Sequence, residues 1–132
     1  MKTQTTKDFI DEKCMKFSVR TVNLYKYLTQ SKQEYVLSKQ LLRSGTSIGA
    51  NMTEAHSAMS DRDFLFKVYI SLKEANESHY WLQLLHNTEF LSDTEYNSII
   101  KDCEELIKIL TVITKKVNKR LNNDVPSPNP DI

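Results

Sequence analysis

The chain has 132 residues, of which 27% are charged and 39% are hydrophobic, and its formal net charge is +1 at pH 7. This length suits one domain with its own core, and the composition is ordinary for a soluble globular protein. No apolar run approaches the roughly 18 residues of a membrane span, and the N-terminus has no apolar signal core, so we expect a cytoplasmic protein with no membrane association.

Signals for helix N-termini recur along the chain at intervals of roughly thirty residues. Each is a hydroxyl residue followed three positions later by an acid, the pattern of a capping box in which both side chains bind backbone N–H groups. The four pairs are Thr5 and Asp8, Ser31 and Glu34, Ser60 and Asp63, and Ser92 and Glu95. Four starts predict four helices, over about residues 6–29, 32–57, 61–88 and 93–121.

Apolar residues in each predicted helix recur at steps of three and four, which is typical of one buried helix face. These seams contain Ile10, Cys14, Phe17, Leu24 and Leu28; Leu37, Leu41, Ile48, Met52 and Met59; Leu65, Val68, Leu72, Ala75 and Leu82; and Ile99, Cys103, Leu106, Leu110, Ile113 and Val117. They predict an all-α, antiparallel up-down-up-down four-helix bundle over residues 1–121. The proline-containing tail, residues 122–132, is predicted to be disordered.

The segment RSGTSIGANMTEA, residues 43–55, places Gly45 and Gly49 four positions apart within the second seam. A glycine inside a helix costs about 1 kcal/mol relative to alanine, so this pair needs a physical reason. A phosphate loop is excluded, because neither the required lysine nor a preceding strand is present. We interpret the segment as a helix whose small residues allow close approach of a backbone from the same chain or another subunit. A ligand-facing role is the alternative.

Polar residues accompany the glycines at helical spacing. Ser47, Asn51 and Glu54 follow one another on the second helix, and Glu74 and Glu77 lie one turn apart on the third. If these groups face one another or another subunit, they need hydrogen-bond partners, because burying an unpaired carboxylate is costly. The alternative is that they lie on a solvated face.

No constellation for catalysis or metal binding is present. Di-iron sites in helical bundles use Glu-x-x-His twice, but the residues three before His56, His79 and His86 are not carboxylates. Cys-x-x-Cys, His-Glu-x-x-His and Gly-x-Ser-x-Gly motifs do not occur either. Cys14 and Cys103 fall on inward seams and are interpreted as core residues. The sequence therefore predicts no cofactor, no metal site and no catalytic residue.

Positive charge is concentrated in two stretches without acidic residues, 13–33 and 106–121, whereas residues 54–105 hold eleven acidic and four basic side chains. Such stretches are commonly solvated helix faces, and the alternative is a surface for nucleic acid or an acidic partner. The candidate nucleic-acid contacts are Lys13, Lys16, Arg20, Lys108, Lys115, Lys116, Lys119 and Arg120. In an up-down bundle these two groups need not form one surface.

Two motifs lie within residues 40–85. The first, Ser-Ile-x-x-Asn-x-x-Glu, consists of Ser47, Ile48, Asn51 and Glu54; the second, Ser-Leu-x-Glu, consists of Ser71, Leu72 and Glu74 and precedes a Tyr-Trp-Leu run at 80–82. Over roughly residues 9–121, this pattern resembles the four-helix-bundle family encoded in intervening sequences of bacterial 23S ribosomal RNA genes. Thr53 and Ala55 replace an alanine and a glycine that are frequent in that family, so we expect the second helix to run slightly further.

The resemblance implies an antiparallel bundle that assembles into a ring of five subunits. The family is also similar to the accessory protein of diversity-generating retroelements, a pentameric barrel that binds nucleic acid and a reverse transcriptase. No catalytic residue is implied. Our first hypothesis is therefore a non-enzymatic homo-oligomer that binds RNA or DNA through basic helix faces. The alternative is a structural or interaction module that docks a protein partner through the small-residue face and lacks nucleic-acid affinity.

Overall fold

The computed structural model describes residues 5–124, and this part of the chain folds into four α-helices without strands. The helices are α1 (Thr6–Ser31), α2 (Leu37–Ala55), α3 (Asp61–Asn87) and α4 (Asp93–Asp124). Each helix packs against the next in the chain, and α1 also contacts α4. The predicted all-α four-helix bundle is confirmed. In the described residues, none of these helices combines the length and apolar content that crossing a membrane requires.

Contacts between neighbouring helices pair their residues in opposite chain order. Between α1 and α2, residue 11 meets 56 and residue 21 meets 45. Between α2 and α3, residue 44 meets 78 and 54 meets 67, and between α3 and α4, residue 75 meets 103 and 61 meets 120. Between α1 and α4, residue 13 meets 105 and 20 meets 102. Because one number rises as the other falls, every neighbouring pair is antiparallel, and the topology is up-down-up-down.

The core is built from the predicted seams of all four helices. Phe17, Ile48, Leu82 and Leu110 are among its fully buried side chains, one from each helix in chain order. The prediction is wrong for Met59, which lies between α2 and α3 and is 93% exposed. The helical spacing that placed Met59 on the second seam does not apply there, because α2 has already ended.

Both cysteines lie in this core, as predicted. Cys14 and Cys103 are buried and free, and the Cys103 thiol donates to the carbonyl oxygen of Ala75 with a sulfur–oxygen distance of 3.4 Å. Burial raises the pKa of each thiol to about 12. The thiols therefore stay protonated at neutral pH and serve as small core side chains.

The start of α2 differs from the prediction. Ser31 is the last residue of α1, and Gln33 turns the chain with a φ of 52°, so no capping box forms between Ser31 and Glu34. Glu34 instead precedes the helix and caps it alone. Its carboxylate accepts hydrogen bonds of 2.7–3.1 Å from the backbone N–H groups of Val36, Leu37 and Ser38. The helix therefore begins at Leu37, and the predicted start at residue 32 is wrong.

The ends of all four helices differ from the prediction by one to three residues. α1 ends at Ser31 and α3 at Asn87, instead of residues 29 and 88. α2 ends at Ala55, so it does not reach the predicted residue 57. α4 continues to Asp124, so residues 122–124 belong to the helix and not to the predicted tail. The rest of that tail, residues 125–132, lies outside the described residues.

The Glu34 cap predicts a pH-dependent contribution to stability. Burial alone would raise the pKa of Glu34, but hydrogen bonds from Leu37, Ser38 and Val36 hold the pKa below its ordinary value. The folded state therefore favours the charged carboxylate. Its contribution should be complete above about pH 5, and it should be lost as the pH falls through the lowered pKa.

We expect Glu34→Gln to lower the free energy of unfolding by about 1–2 kcal/mol at pH 7, because the neutral amide is a weaker acceptor for the helix N–H groups. Urea denaturation at pH 7 and at about pH 3 measures the gap between wild type and variant. The gap should narrow at the lower pH. Glu89→Gln, which changes an exposed carboxylate between α3 and α4, is the control. A gap that stays constant or widens on acidification would contradict the assigned cap.

Candidate functional site

The two glycines of α2 face α1 of the same chain. A Cβ atom built on Gly45 would lie 2.7 Å from both Cγ2 and Oγ1 of Thr21, and one built on Gly49 would lie 3.2 Å from Cβ of Cys14. Thr21 cannot easily move, because it is fully buried and its hydroxyl donates to the carbonyl oxygen of Phe17 at 2.8 Å. The glycines therefore permit close packing of α1 on α2 within one chain, and α1 covers the small-residue face at Gly45.

The polar residues that follow the glycines bond within α2 or lie at its surface. The Ser47 hydroxyl donates to the carbonyl oxygen of Arg43 at 2.6 Å, and the Asn51 amide donates to that of Ser47 at 2.8 Å. Glu54 is exposed and accepts from Lys67 of α3 at 2.7 Å. In the described contacts none of these three side chains bonds to Glu74 or Glu77, and Glu54 follows the solvated alternative.

The second motif supplies contacts between α2 and α3. The Ser71 hydroxyl donates to the carbonyl oxygen of Ile48 at 2.8 Å, and both residues are fully buried. Glu74 is also buried and accepts from Arg43 at 3.1 Å, while the same guanidinium contacts Glu77. The buried carboxylate therefore has the partner that its desolvation demands.

Sequence reasoning missed a buried hydroxyl pair at the same helix junction. The Oγ atoms of Ser44 and Ser78 lie 2.8 Å apart, and Ser78 also donates to the carbonyl oxygen of Glu74 at 2.9 Å. The available signal was spacing, because Ser44 falls three residues after the buried Leu41 on its seam. Together with Ser71, these serines form a polar strip at the buried contact between α2 and α3.

The candidate contacts on α1 are engaged by acids of α4. Lys13 lies 2.8 Å from Glu105, Arg20 lies 2.9 Å from Asp102, and Lys16 lies 3.9 Å from the same Asp102 oxygen. The hydrogen bond with Glu105 also raises the pKa of Lys13. These three cations join α1 to α4, so they do not form a free basic surface.

The candidate lysines on α4 form a separate surface near its C-terminal end. Lys108, Lys115, Lys116 and Lys119 are exposed, and none of them makes an ion pair with another residue that the structure describes. A rise of 1.5 Å per residue spreads them over about 16 Å of helix. We call these four lysines the α4 basic face. Arg120 differs, because its guanidinium pairs with Asp61 at 2.9 Å.

An apolar groove adjoins the α4 basic face, between the N-terminal part of α1 and the C-terminal part of α4. Its volume is about 660 Å³. The lining residues are Thr6 and Phe9 of α1, Phe64 of α3, and Lys108, Ile109, Val112, Ile113, Lys116, Val117 and Arg120 of α4. All the charged residues among them are cations. We call this feature the α1–α4 groove; sequence reasoning did not identify it.

The histidines lie apart from these features. Each one sits beside a single carboxylate: His56 with Asp11 at 2.7 Å, His79 with Glu104 at 3.6 Å, and His86 with Asp93 at 2.7 Å. Over residues 5–124, no three His, Cys, Asp or Glu side chains converge as they would around a metal ion.

The fold and these features define a small helical-bundle protein. The model of the 23S rRNA-intervening sequence protein family matches residues 8–112. A crystal structure from Bacteroides thetaiotaomicron, described as a protein of unknown function from the S23 ribosomal protein family, is 50% identical to this chain. It covers 84% of this chain and 99% of its own, with a TM-score of 0.82. No curated protein matches.

The chain therefore belongs to the 23S rRNA-intervening sequence protein family. The resemblance inferred from the two motifs is confirmed. The family match ends at residue 112, so Lys115, Lys116 and Lys119 follow the matched region. Family membership accounts for the bundle, but three of the four lysines of the α4 basic face lie beyond the matched residues.

The tight contact between α1 and α2 predicts the effect of a single methyl group. Gly45→Ala should lower the free energy of unfolding by about 1 kcal/mol or more, because overpacking against Thr21 outweighs the gain in helix propensity. Gly49→Ala is the matched control and should cost less, since its methyl would meet Cys14 at 3.2 Å.

Adding Thr21→Ala to Gly45→Ala should recover part of the loss, because it removes the two atoms that clash at 2.7 Å. Urea denaturation of the three variants measures these differences. A Gly45→Ala protein as stable as the wild type would show that α1 and α2 do not need the glycine.

Proposed function

We propose that this protein is a non-enzymatic homo-oligomer that binds RNA or DNA through the α4 basic face. One observation carries the proposal: four exposed lysines on one helix face have no ion-pair partner among the described residues. Such a face attracts phosphates, and binding gains free energy from the release of condensed counterions. Lysine–phosphate contacts carry no base information, so the α4 basic face should bind without sequence preference.

The ion pairs reduce the number of candidate nucleic-acid contacts, because some of the candidate cations already have carboxylate partners. Lys13, Lys16 and Arg20 have acid partners on α4, and Arg120 is paired with Asp61. Phosphates would have to displace those carboxylates, whereas they can approach the α4 basic face directly. We therefore assign nucleic-acid contact to the four lysines of that face and a structural role to the four paired cations.

The non-enzymatic part of the proposal is supported by the state of the reactive side chains. The two thiols are buried with raised pKa values, so neither is a ready nucleophile. Each histidine has one neighbouring carboxylate, with no nucleophile completing a triad in the described contacts. A catalytic site needs several such groups to converge in a cleft.

Self-association is supported by a face that α1 and α2 share, in which Asp11 is the one charged residue of the lining. Met15 is 66% exposed on α1, and Val19 is exposed one turn further along. Ala50 and Thr53 of α2 line the same shallow surface as Met15. Exposed apolar side chains grouped on one face are typical of subunit contacts. We propose that this face contacts another copy, with five copies as the number that the family motifs imply.

Nucleic-acid binding can be tested with a fluorescein-labelled RNA strand titrated at salt concentrations from about 50 to 200 mM. The wild type should bind at low salt, with affinity falling steeply as salt rises. Replacing the four lysines of the α4 basic face by Gln should weaken binding about tenfold or more and flatten the salt dependence.

The matched control replaces Lys26, Lys32, Lys39 and Lys73 by Gln, which removes the same charge from exposed positions elsewhere. It should retain most of the affinity. Equal losses in the two variants would make binding a consequence of net charge alone and contradict the assigned face. An absence of binding at the lowest salt would remove the proposed function.

Self-association can be tested by light scattering on the full chain. The wild type should have about five times the mass of one chain, and Met15→Glu should lower this mass by placing a charge in the proposed contact. Met59→Glu is the control, because Met59 is exposed between α2 and α3 and should tolerate the change. A monomeric wild type, or equal effects of the two substitutions, would contradict this part of the proposal.

A further inference from the structure

We propose that the α1–α4 groove receives an unpaired base, so that the nucleic acid bound by this protein is single-stranded. The inference rests on the proposed function, because the α4 basic face must first hold the phosphates. It adds the chemical class of the ligand, and it assigns a role to an apolar feature that phosphate binding alone leaves unexplained.

The lining of the groove separates its floor from its rim. Ile109, Ile113 and Val117 line the floor with apolar surface, whereas Lys108 and Lys116 bring positive charge to the lining. A phosphate does not enter an apolar groove, because losing its hydration is too costly without a partner. A base can enter, since its faces are flat and weakly polar. This arrangement suits a base inside the groove and phosphates at its cationic rim.

Phe9 gives the groove an aromatic wall that is held in place. Its side chain is 38% exposed, and the ammonium of Lys13 lies 5.4 Å from the ring centroid. Lys13 is itself bound to Glu105 at 2.8 Å, so a chain of contacts from α4 through Lys13 to Phe9 orients the ring. Stacking on fixed aromatic rings is how proteins bind single strands without reading their sequence.

A duplex does not fit this groove. The bases of a duplex are paired and stacked inside the helix, and one would have to flip out of the duplex to reach Phe9. A single strand has no such barrier. It can cross the end of the bundle, contact all four lysines of the α4 basic face and turn one base toward α1.

An acidic amphipathic helix is the other partner that suits an apolar groove with cations. Seated there, it would meet Lys108 and Lys116, which line the groove. Lys115 and Lys119 do not line the groove. An acidic helix seated in the groove would therefore leave the charges of these two lysines without a partner. A polyanionic strand neutralises both pairs of lysines, so the observations favour a strand.

The experiment compares labelled probes of about twelve nucleotides on the full-length protein: an oligothymidylate, its duplex with oligoadenylate, and a strand of the same charge in which every site is abasic. The wild type should bind the oligothymidylate about tenfold more tightly than the abasic strand or the duplex. Phe9→Ala should lower affinity for the oligothymidylate about tenfold and leave the abasic strand unchanged.

Val112→Asn is a second groove variant, which places a polar group beside the base without changing the charge. Val112 is 50% exposed, so this change should not disturb the core. It should reproduce the selective loss caused by Phe9→Ala. Both variants should keep the salt dependence of the wild type, because every lysine of the α4 basic face remains.

Each of the following results would overturn either the base site or the proposed function. Equal binding of the oligothymidylate and abasic strands, or of the oligothymidylate and duplex, would overturn the base site while leaving the proposed function intact. The base site would also be overturned if neither groove variant weakened binding of the oligothymidylate. Failure to bind any probe at low salt would overturn the proposed function itself. Displacement of the oligothymidylate by an acidic amphipathic peptide, abolished by Val112→Asn, would assign the groove to a protein partner.

Discussion

The ion pairs between α1 and α4 determine which charges this protein presents to a partner. In the antiparallel register, Lys13 meets Glu105, while Arg20 and Lys16 share Asp102, so two acids of α4 partly compensate three cations of α1. From residue 106 to 121, α4 carries no acid at all. Its lysines in that stretch therefore remain uncompensated within the described residues. The second basic stretch therefore supplies the α4 basic face, whereas three cations of the first stretch are paired across the contact between α1 and α4.

The packing of α1 links the family motifs to this surface. Gly45 and Gly49 let α1 lie close against α2, while Ser71 and Glu74 join α2 to α3. The small-residue segment thus fixes the position of α1 on α2. Near its N-terminal end, α1 leaves the groove open toward α4, with Phe9 along one wall. The contacts of Gly45, Gly49, Ser71 and Glu74 hold the bundle together, and the proposed binding surface lies where α1 meets α4.

Much of the fold could be predicted, because helix number and core seams follow from capping residues and apolar spacing. The start of α2 could not, since Glu34 suits either the third position of a capping box or a cap that precedes the helix. The sequence also could not predict which lysines are paired and which are free, because this depends on the register between α1 and α4. The groove depends on how α1, α3 and α4 pack together in three dimensions, which no local pattern encodes.

Photo-crosslinking tests most directly the claim that nucleic acid binds at the C-terminal end of α4. A thymidylate strand carrying 4-thiothymidine would be irradiated in complex with the full chain, and the modified peptides would be identified by mass spectrometry. The account predicts crosslinks within residues 108–119 and at Phe9, all suppressed by high salt. Crosslinks concentrated on the paired cations Lys16 and Arg20, or on α3, would contradict it.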